Sequence, residues 1–334
     1  MNDPLFLIGA GFNVDAIHEA GPVYGNSIYA GCYVIDCGYP LVADVARLCF
    51  GLAQAPTDKS IEDLFAEALE GGSYAALQKL SDRVMDADSR LAEQLASSGT
   101  SNCYREFFER FPEANFITFN YDSLVEIFLF RMGRWYPEDG YGLPVEVELA
   151  HLKPTEFTAM RSKSLVLHLH GTFCVYTSEF EIKPDFGDSI PWLNRLERPA
   201  YRFDPDEISF CFTPYRGMMS NTGYVRIEER VIAPIPDKAS QLNQPFISET
   251  YDKACSFVRK SGTLVVIGYS FNRNDAASYD AILRALAQSR ERKLILVSPQ
   301  AIELAAKIRA EYNSLQLKPI DKSFKDWAGD SFRC

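Results

Sequence analysis

Phe116-Ile117-Thr118-Phe119-Asn120-Tyr121-Asp122 is an apolar run of strand length that stops abruptly on polar side chains. About fifty positions further on, Leu165 to Leu169 does the same and stops on His170-Gly171. Short apolar runs bounded by turn residues read as buried strands. In an open α/β sheet the side chains at the carboxyl ends of the strands line the crevice where ligands bind. An Asn, an Asp and a His delivered to such ends therefore read as one site, and that kind of crevice favours a nucleotide.

Outward from these two runs, Leu5 to Ile8, Thr263 to Ile267, Lys293 to Val297 and Leu315 to Lys318 have the same character and alternate with longer stretches of helical period. The expected fold class is α/β, a Rossmann-like parallel sheet flanked by helices, within a single domain over residues 1–334. Two long intervals interrupt the alternation. Residues 55–112 read as a helical insertion: Ser60-Ile61-Glu62-Asp63 resembles a capping box, and Leu64, Phe65, Ala68 and Leu69 follow at helical spacing. Residues 173–247 carry Pro184, Pro191, Trp192, Pro199, Pro205, Pro214, Pro234 and Pro236, which resist long helices and suit an irregular accessory lobe or lid. Regular alternation then resumes, with helices expected over Asp275 to Gln288 and Pro299 to Tyr312.

Composition bounds the function. The 334 residues are 47% hydrophobic and 24% charged, as in a folded globular protein. A net charge of −11 works against a nonspecific grip on phosphate backbones, so direct nucleic-acid binding is not expected. The cysteines at 32, 37, 49, 103, 174, 211, 255 and 334 include no C-x-x-C pair, and the expectation is reduced thiols with no metal site. Met1-Asn2-Asp3-Pro4 lacks a basic signal-peptide start, and no apolar run approaches the ~20 residues that cross a bilayer. The expected location is the cytoplasm, away from membranes.

Several motifs carry candidate chemistry. Gly9-Ala10-Gly11, after the first strand and before Asn13, is a glycine turn whose backbone amides could approach a diphosphate, or simply a tight turn. The third glycine of the dinucleotide fingerprint would fall at Val14, which breaks the dehydrogenase pattern, although Asp36 stands loosely where a ribose-binding acid would sit. Asn120 reads as a site residue or a turn former, and Asp122 as a site residue, a helix N-cap ahead of Ser123 to Met132, or both. His168 and His170, two apart on one strand, should face the same way; a metal pair, a structural pair and a single catalytic histidine all remain open. Gly268-Tyr269-Ser270, with Asp275 opening the next helix, repeats the glycine-turn pattern, and Ser298 in Val297-Ser298-Pro299 suits a ribose or adenine contact or an ordinary turn.

In their order, Gly9-Ala10-Gly11, Thr118-Phe119-Asn120-Tyr121-Asp122, His170-Gly171 and Gly268-Tyr269-Ser270 resemble the sirtuin superfamily over about residues 4 to 319, specifically its bacterial branch in antiphage defence. Cys37-Gly38-Tyr39-Pro40-Leu41 also looks like that branch. Protein-deacylating sirtuins carry two C-x-x-C pairs for zinc after the histidine; here only Cys174 and Cys211 fall in that region, so no zinc is implied. Phe119 and Tyr121 flank the asparagine as in the branch that hydrolyses NAD.

The resemblance implies an NAD+ hydrolase releasing nicotinamide and ADP-ribose. It implies Asn120 and His170 as catalytic residues, and Gly9, Ala10, Gly11, Asn13, Thr118, Asp122, Gly268, Tyr269, Ser270, Asp275 and Ser298 around the dinucleotide. A homo-oligomer, or a separate sensor or activator such as an ATPase or a nucleic-acid-guided partner, is implied as the means of keeping the enzyme silent until triggered. A zinc-independent deacylase or ADP-ribosyltransferase, and an inactive NAD- or ADP-ribose-binding module, are the alternatives.

Overall fold

Six strands pair in parallel in the spatial order Gln316–Asp321, Lys293–Ser298, Thr263–Ile267, Leu5–Ile8, Phe116–Thr118, Val166–His168. Counted along the chain this is 6-5-4-1-2-3, the order of a doubly wound Rossmann-like sheet. The structure is a computed structural model and describes residues 4–14, 16, 24–25, 33–34, 39–40, 42–53, 58–96, 102–147, 161–178, 209–210, 227–236, 238–330 and 332.

All six runs singled out in the sequence form this sheet, with ends moved by a few residues. The reason is burial on both faces: Leu5 to Ile8, Phe116 to Thr118 and Leu294 to Val297 are buried without interruption, so each strand reads as a continuous apolar run rather than an alternation. Gln316–Asp321 lies at an edge and is half-buried or exposed throughout. Pro319 is tolerated there because an edge strand leaves one row of its amides outside the ladder.

Helices cover the sheet with local signals intact. Pro245–Ser261 starts with Pro245 in its first turn and ends at Gly262, whose φ of +69° places it in the left-handed region. The expected capping box is present before Ile61–Glu70: Ser60 Oγ accepts from Asp63 N at 3.1 Å, and the Asp63 carboxylate accepts from Ser60 N at 2.8 Å.

The interval 55–112 does contain helices, Ile61–Glu70, Ala75–Ala96 and Asn102–Arg110, but it is not uniformly peripheral. Phe65, Leu80, Val84 and Met85 pack in a small cluster with Val45, Phe173 and Val231, whereas Ala87, Leu91, Tyr104, Phe107 and Phe108 belong to the main core. Phe12 joins that main core, its ring centroid 4.5 Å from Phe324 and 5.1 Å from Tyr104. Of the interval 173–247, the described part includes strand residues of Gly171–Ser178, which pairs antiparallel with Ser209–Phe210 and Ile227–Val231. Ser209–Phe210 also pairs in parallel with Glu146–Val147. Residues 179–208 and 211–226 of the expected accessory lobe lie outside the described residues. Among the described residues, no helix is long and apolar enough to cross a membrane.

Candidate active site

The order 6-5-4-1-2-3 puts a topological switch between Leu5–Ile8 and Thr263–Ile267, and the loops leaving those two strands are Gly9 to Gly11 and Gly268 to Ser270. They interlock. Gly11 N–H donates to Gly268 O at 2.8 Å and Gly9 N–H to Ile267 O at 2.9 Å. A Cβ on Gly268 would stand 2.2 Å from Phe12 N, and one on Gly9 would stand 2.6 Å from Gly268 O. Phe12 N–H and Asn13 N–H turn back to Gly9 O and Ala10 O, at 2.9 and 3.1 Å. The first demand on these glycines is thus close approach of backbone to backbone, and the Gly9 and Gly11 amides expected to approach a diphosphate are donated within the fold. Ala10 and Gly11 stay exposed on the crevice side. Val14, in the place of the third glycine, is exposed as well.

Beside this switch the strand Phe116–Thr118 delivers its polar end. Thr118 Oγ donates to Ile8 O at 3.0 Å and accepts from Asn120 N at 3.0 Å, so it ties the asparagine turn to the first strand. Asn120 Nδ2 reaches Asn13 Oδ1 at 3.4 Å, and Asn13 Nδ2 donates to Asp122 Oδ2 at 2.6 Å. Asp122 Oδ1 accepts from Leu124 N at 3.2 Å, at the start of the helix Leu124–Arg131. Asp122 thus meets the helix start from one place before the N-cap, which is Ser123 rather than the expected Asp122. Asn13, Asn120 and Asp122 form one chain of side chains. Asn120 is half-buried, and the other two are buried.

The two histidines do not act as a pair. The strand ends at His168, and His170 lies in the turn after it. His168 Nδ1 lies 2.9 Å from Asn120 O and its Nε2 lies 2.5 Å from Glu126 Oε1. His170 looks elsewhere: Nε2 is 3.4 Å from Ser278 Oγ and 3.9 Å from Asp275 Oδ1, with the Phe119 ring 4.9 Å away. Among the described residues no group of His, Cys, Asp and Glu is arranged to hold a metal ion.

His170 is enclosed. Lys238 forms a buried ion pair with Asp275, which also accepts from Tyr269 O–H at 3.1 Å. Ile232 N–H donates to His170 O at 2.8 Å, and Tyr121 O–H donates to Ile232 O at 2.7 Å. The segment returning from the accessory lobe is stitched over the histidine, leaving it 3% exposed. Burial first, then the Lys238 charge, pushes its pKa down to about 3, well below the ordinary value of ~6.5 that the sequence suggested.

Beneath Asn120 lies a set of buried acids of which the sequence had flagged only one. Asp88, from the helix Ala75–Ala96, accepts from Tyr39 O–H at 2.7 Å and from Ser123 N at 3.0 and 3.1 Å. Burial, then the Asp122 charge, raises the Asp88 carboxyl well above the usual carboxylate range. Burial, then Glu126, pushes Asp122 up to about 6. Two signals for this set were present. Asp88 falls on the same helical stripe as Val84 and Leu91, and Glu126 is the one charge in the run Leu124-Val125-Glu126-Ile127-Phe128-Leu129.

Other expected residues are less engaged. Ser298 Oγ accepts from Gln300 N at 3.2 Å within its own turn, and Ser270 is exposed. Asp36, Cys37 and Cys211 lie outside the described residues. Cys49 and Cys255 carry free thiols. In comparisons with known proteins, no protein-family model matches the chain and no curated protein matches it.

Proposed function

We propose that the chain is an NAD+ hydrolase that cleaves the nicotinamide–ribose bond and serves as the NAD-depleting effector of a bacterial antiphage response in the cytoplasm. The observation that carries this reading is the side-chain chain Asn13, Asn120 and Asp122, with His170 following the neighbouring strand, all beyond the carboxyl ends of three adjacent strands and beside the switch point where such sheets bind nucleotides.

The bond to be broken suits this equipment. Nicotinamide leaves as a neutral base and the ribose passes through an oxocarbenium-like state, so the leaving group needs no proton from an acid, unlike the usual glycoside case. The site must place a water and tolerate positive charge at the sugar. Asn120, held at its backbone and loosely at its side chain, is suited to hold the water or ribose near the anomeric carbon. Asp122, anchored by Asn13, is suited to orient the carboxamide and to face the developing cation. His170, pushed down to about 3, is neutral at cellular pH and serves as a hydrogen-bond partner of a ribose hydroxyl rather than as a strong base. On this reading Thr118, Tyr269 and Asp275 would stand toward the reacting end of the dinucleotide, and Ala10, Gly11, Gly268, Ser270 and Ser298 toward its adenosine and diphosphate half. With His170 only 3% exposed, turnover on this reading requires the site to open, whether through homo-oligomer formation or a separate activator.

The test is nicotinamide release from NAD by the full chain across a range of protein concentrations. Wild-type release with at least ~100-fold loss in Asn120→Ala and in His170→Ala is the expected outcome. Saturable NAD binding without release under all conditions would replace the hydrolase with a binding module. Turnover that requires an acyl-lysine or a protein acceptor would replace it with a deacylase or transferase.

A further inference from the structure

We propose that Glu126 and His168 are a positioning pair for Asn120, clamping its backbone carbonyl through a shared proton and so fixing where its side chain stands in the site. The kinetic consequence rests on the hydrolase reading above; the geometry does not.

His168 closes the strand Val166–His168 and its imidazole spans from one element to the next. Nδ1 lies 2.9 Å from Asn120 O, and Nε2 lies 2.5 Å from Glu126 Oε1 on the helix that follows Asp122. A carbonyl oxygen only accepts, so Nδ1 carries a hydrogen. At Nε2 either an imidazolium donates to the carboxylate or a protonated Glu126 donates to the neutral ring. In both arrangements the pair holds one proton between Nε2 and Oε1 and is neutral overall. The two side chains are 0% and 1% exposed, so bulk water cannot take the place of either partner. A hydrogen bond backed by such a pair is shorter and stronger than one between neutral groups.

Asn120 is held unevenly, and the unevenness indicates what the pair does. Its backbone is fixed at both polar atoms, N by Thr118 Oγ at 3.0 Å and O by His168 at 2.9 Å, whereas its side-chain amide makes a long 3.4 Å contact to Asn13. A rigid backbone with an under-committed amide is what a group that must meet a substrate requires. The surroundings keep the proton in place. Asp122, Asp88 and Tyr39 face the pair from neighbouring elements, and the Tyr141 ring lies 5.8 Å from His168. Cys174 lies beyond Tyr141 and Ser123. Burial opposes a charge on His168, but Glu126, the Asn120 carbonyl and Asp122 together outweigh it and hold the imidazole above its ordinary pKa.

Glu126→Gln keeps the shape and removes the site of the shared proton. Provided that wild type releases nicotinamide, folded Glu126→Gln should show kcat lower by roughly tenfold or more with KM within about twofold, because the contact that fixes the reacting geometry is weakened while substrate contacts remain. The alkaline limb of its kcat profile should move to lower pH by about one unit or more, since glutamine cannot retain the imidazolium. His168→Asn, which can offer an N–H near the Nδ1 position, should retain more activity than His168→Ala. A merely structural pair would alter melting temperature but leave the kcat of folded protein and its alkaline limb where they were, and that result would overturn the proposal. One readout needs neither a variant nor activity: nitrogen-15 NMR of the histidine rings should show His168 Nδ1 protonated at pH 7, and a bare Nδ1 would overturn the proposal even if Glu126→Gln does not fold. If wild type releases no nicotinamide even in cell lysate, the hydrolase reading fails on its own, and with or without release the backbone amide resonance of Asn120 decides the pair. A resonance displaced in Glu126→Gln supports positioning, and an unmoved one refutes it.

Discussion

Replacing Gly268 by alanine should destabilise the protein far more than the same change at Gly51, and the difference measures the interlock of the two loops at the switch point. Both glycines have positive φ, +64° and +70°. Each alanine therefore meets a left-handed cost of about 1–2 kcal/mol. At Gly51 nothing lies within 4 Å of the new Cβ, so the cost ends there. At Gly268 the Cβ would lie 2.2 Å from Phe12 N and 2.4 Å from Gly11 C. Non-bonded heavy atoms pack at about 3.5 Å, so the loops must part by more than ~1 Å. Forced overpacking of this kind costs about 1–3 kcal/mol, and losing the 2.8 Å Gly11 N–H to Gly268 O bond adds about 1 kcal/mol. Gly268→Ala should therefore lose about 3–6 kcal/mol against about 1–2 for Gly51→Ala, a large share of the 5–15 kcal/mol that typically holds a domain. Urea unfolding followed by tryptophan fluorescence would read both, with NAD binding measured on the folded fraction. Equal losses in the two variants would refute the claim that loop-on-loop approach, rather than φ alone, demands glycine at 268.

Three further outcomes are expected. Because burial and Glu126 raise Asp122 to about 6, the folded state favours its protonated form; that contribution is present below the unfolded value and is lost as pH rises through about 6. At about 1.4 kcal/mol per pKa unit it amounts to about 3 kcal/mol, so Asp122→Asn should flatten the fall of unfolding free energy between pH 4 and 7, and an unchanged slope would contradict the assignment. Lys238→Met leaves Asp275 buried beside Tyr269 without its cation and should cost about 3–5 kcal/mol. It should also speed hydrogen exchange at the Ile232 amide that covers His170, and adding Asp275→Asn should restore part of the stability. Phe12→Ala removes the ring that seats the first glycine loop against Tyr104 and Phe324 and should cost about 3–5 kcal/mol in the same urea assay.

Apart from the half-buried or exposed edge strand Gln316–Asp321, the strands of the sheet were legible because they are buried on both faces. Each is a short apolar run bounded by turn residues, a property of neighbouring positions that needs no knowledge of the rest of the chain. The capping box at Ser60 was legible for the same reason, since caps are satisfied within a few residues, and Asp122 reaches the next helix start only from one place before its N-cap, Ser123. Asn120, Asp122 and His170 could be named as candidates because strand ends in such a sheet share one crevice.

What those residues touch was decided only by tertiary structure. The sequence left a metal pair, a structural pair and a single catalytic histidine open for His168 and His170, but strand termination and the helix placed opposite give His168 to Glu126 and Asn120, and give His170 to Ser278 and Asp275. Likewise the glycines of the first loop read as a diphosphate approach or a tight turn, and only the packing of Gly268, just after Thr263–Ile267, shows the backbone contact that requires them. Local propensity determines which segments become strands and where polar groups surface at their ends. Partner choice, burial and the resulting shifts in proton affinity depend on contacts between positions scores to hundreds of residues apart, and no local pattern encodes those.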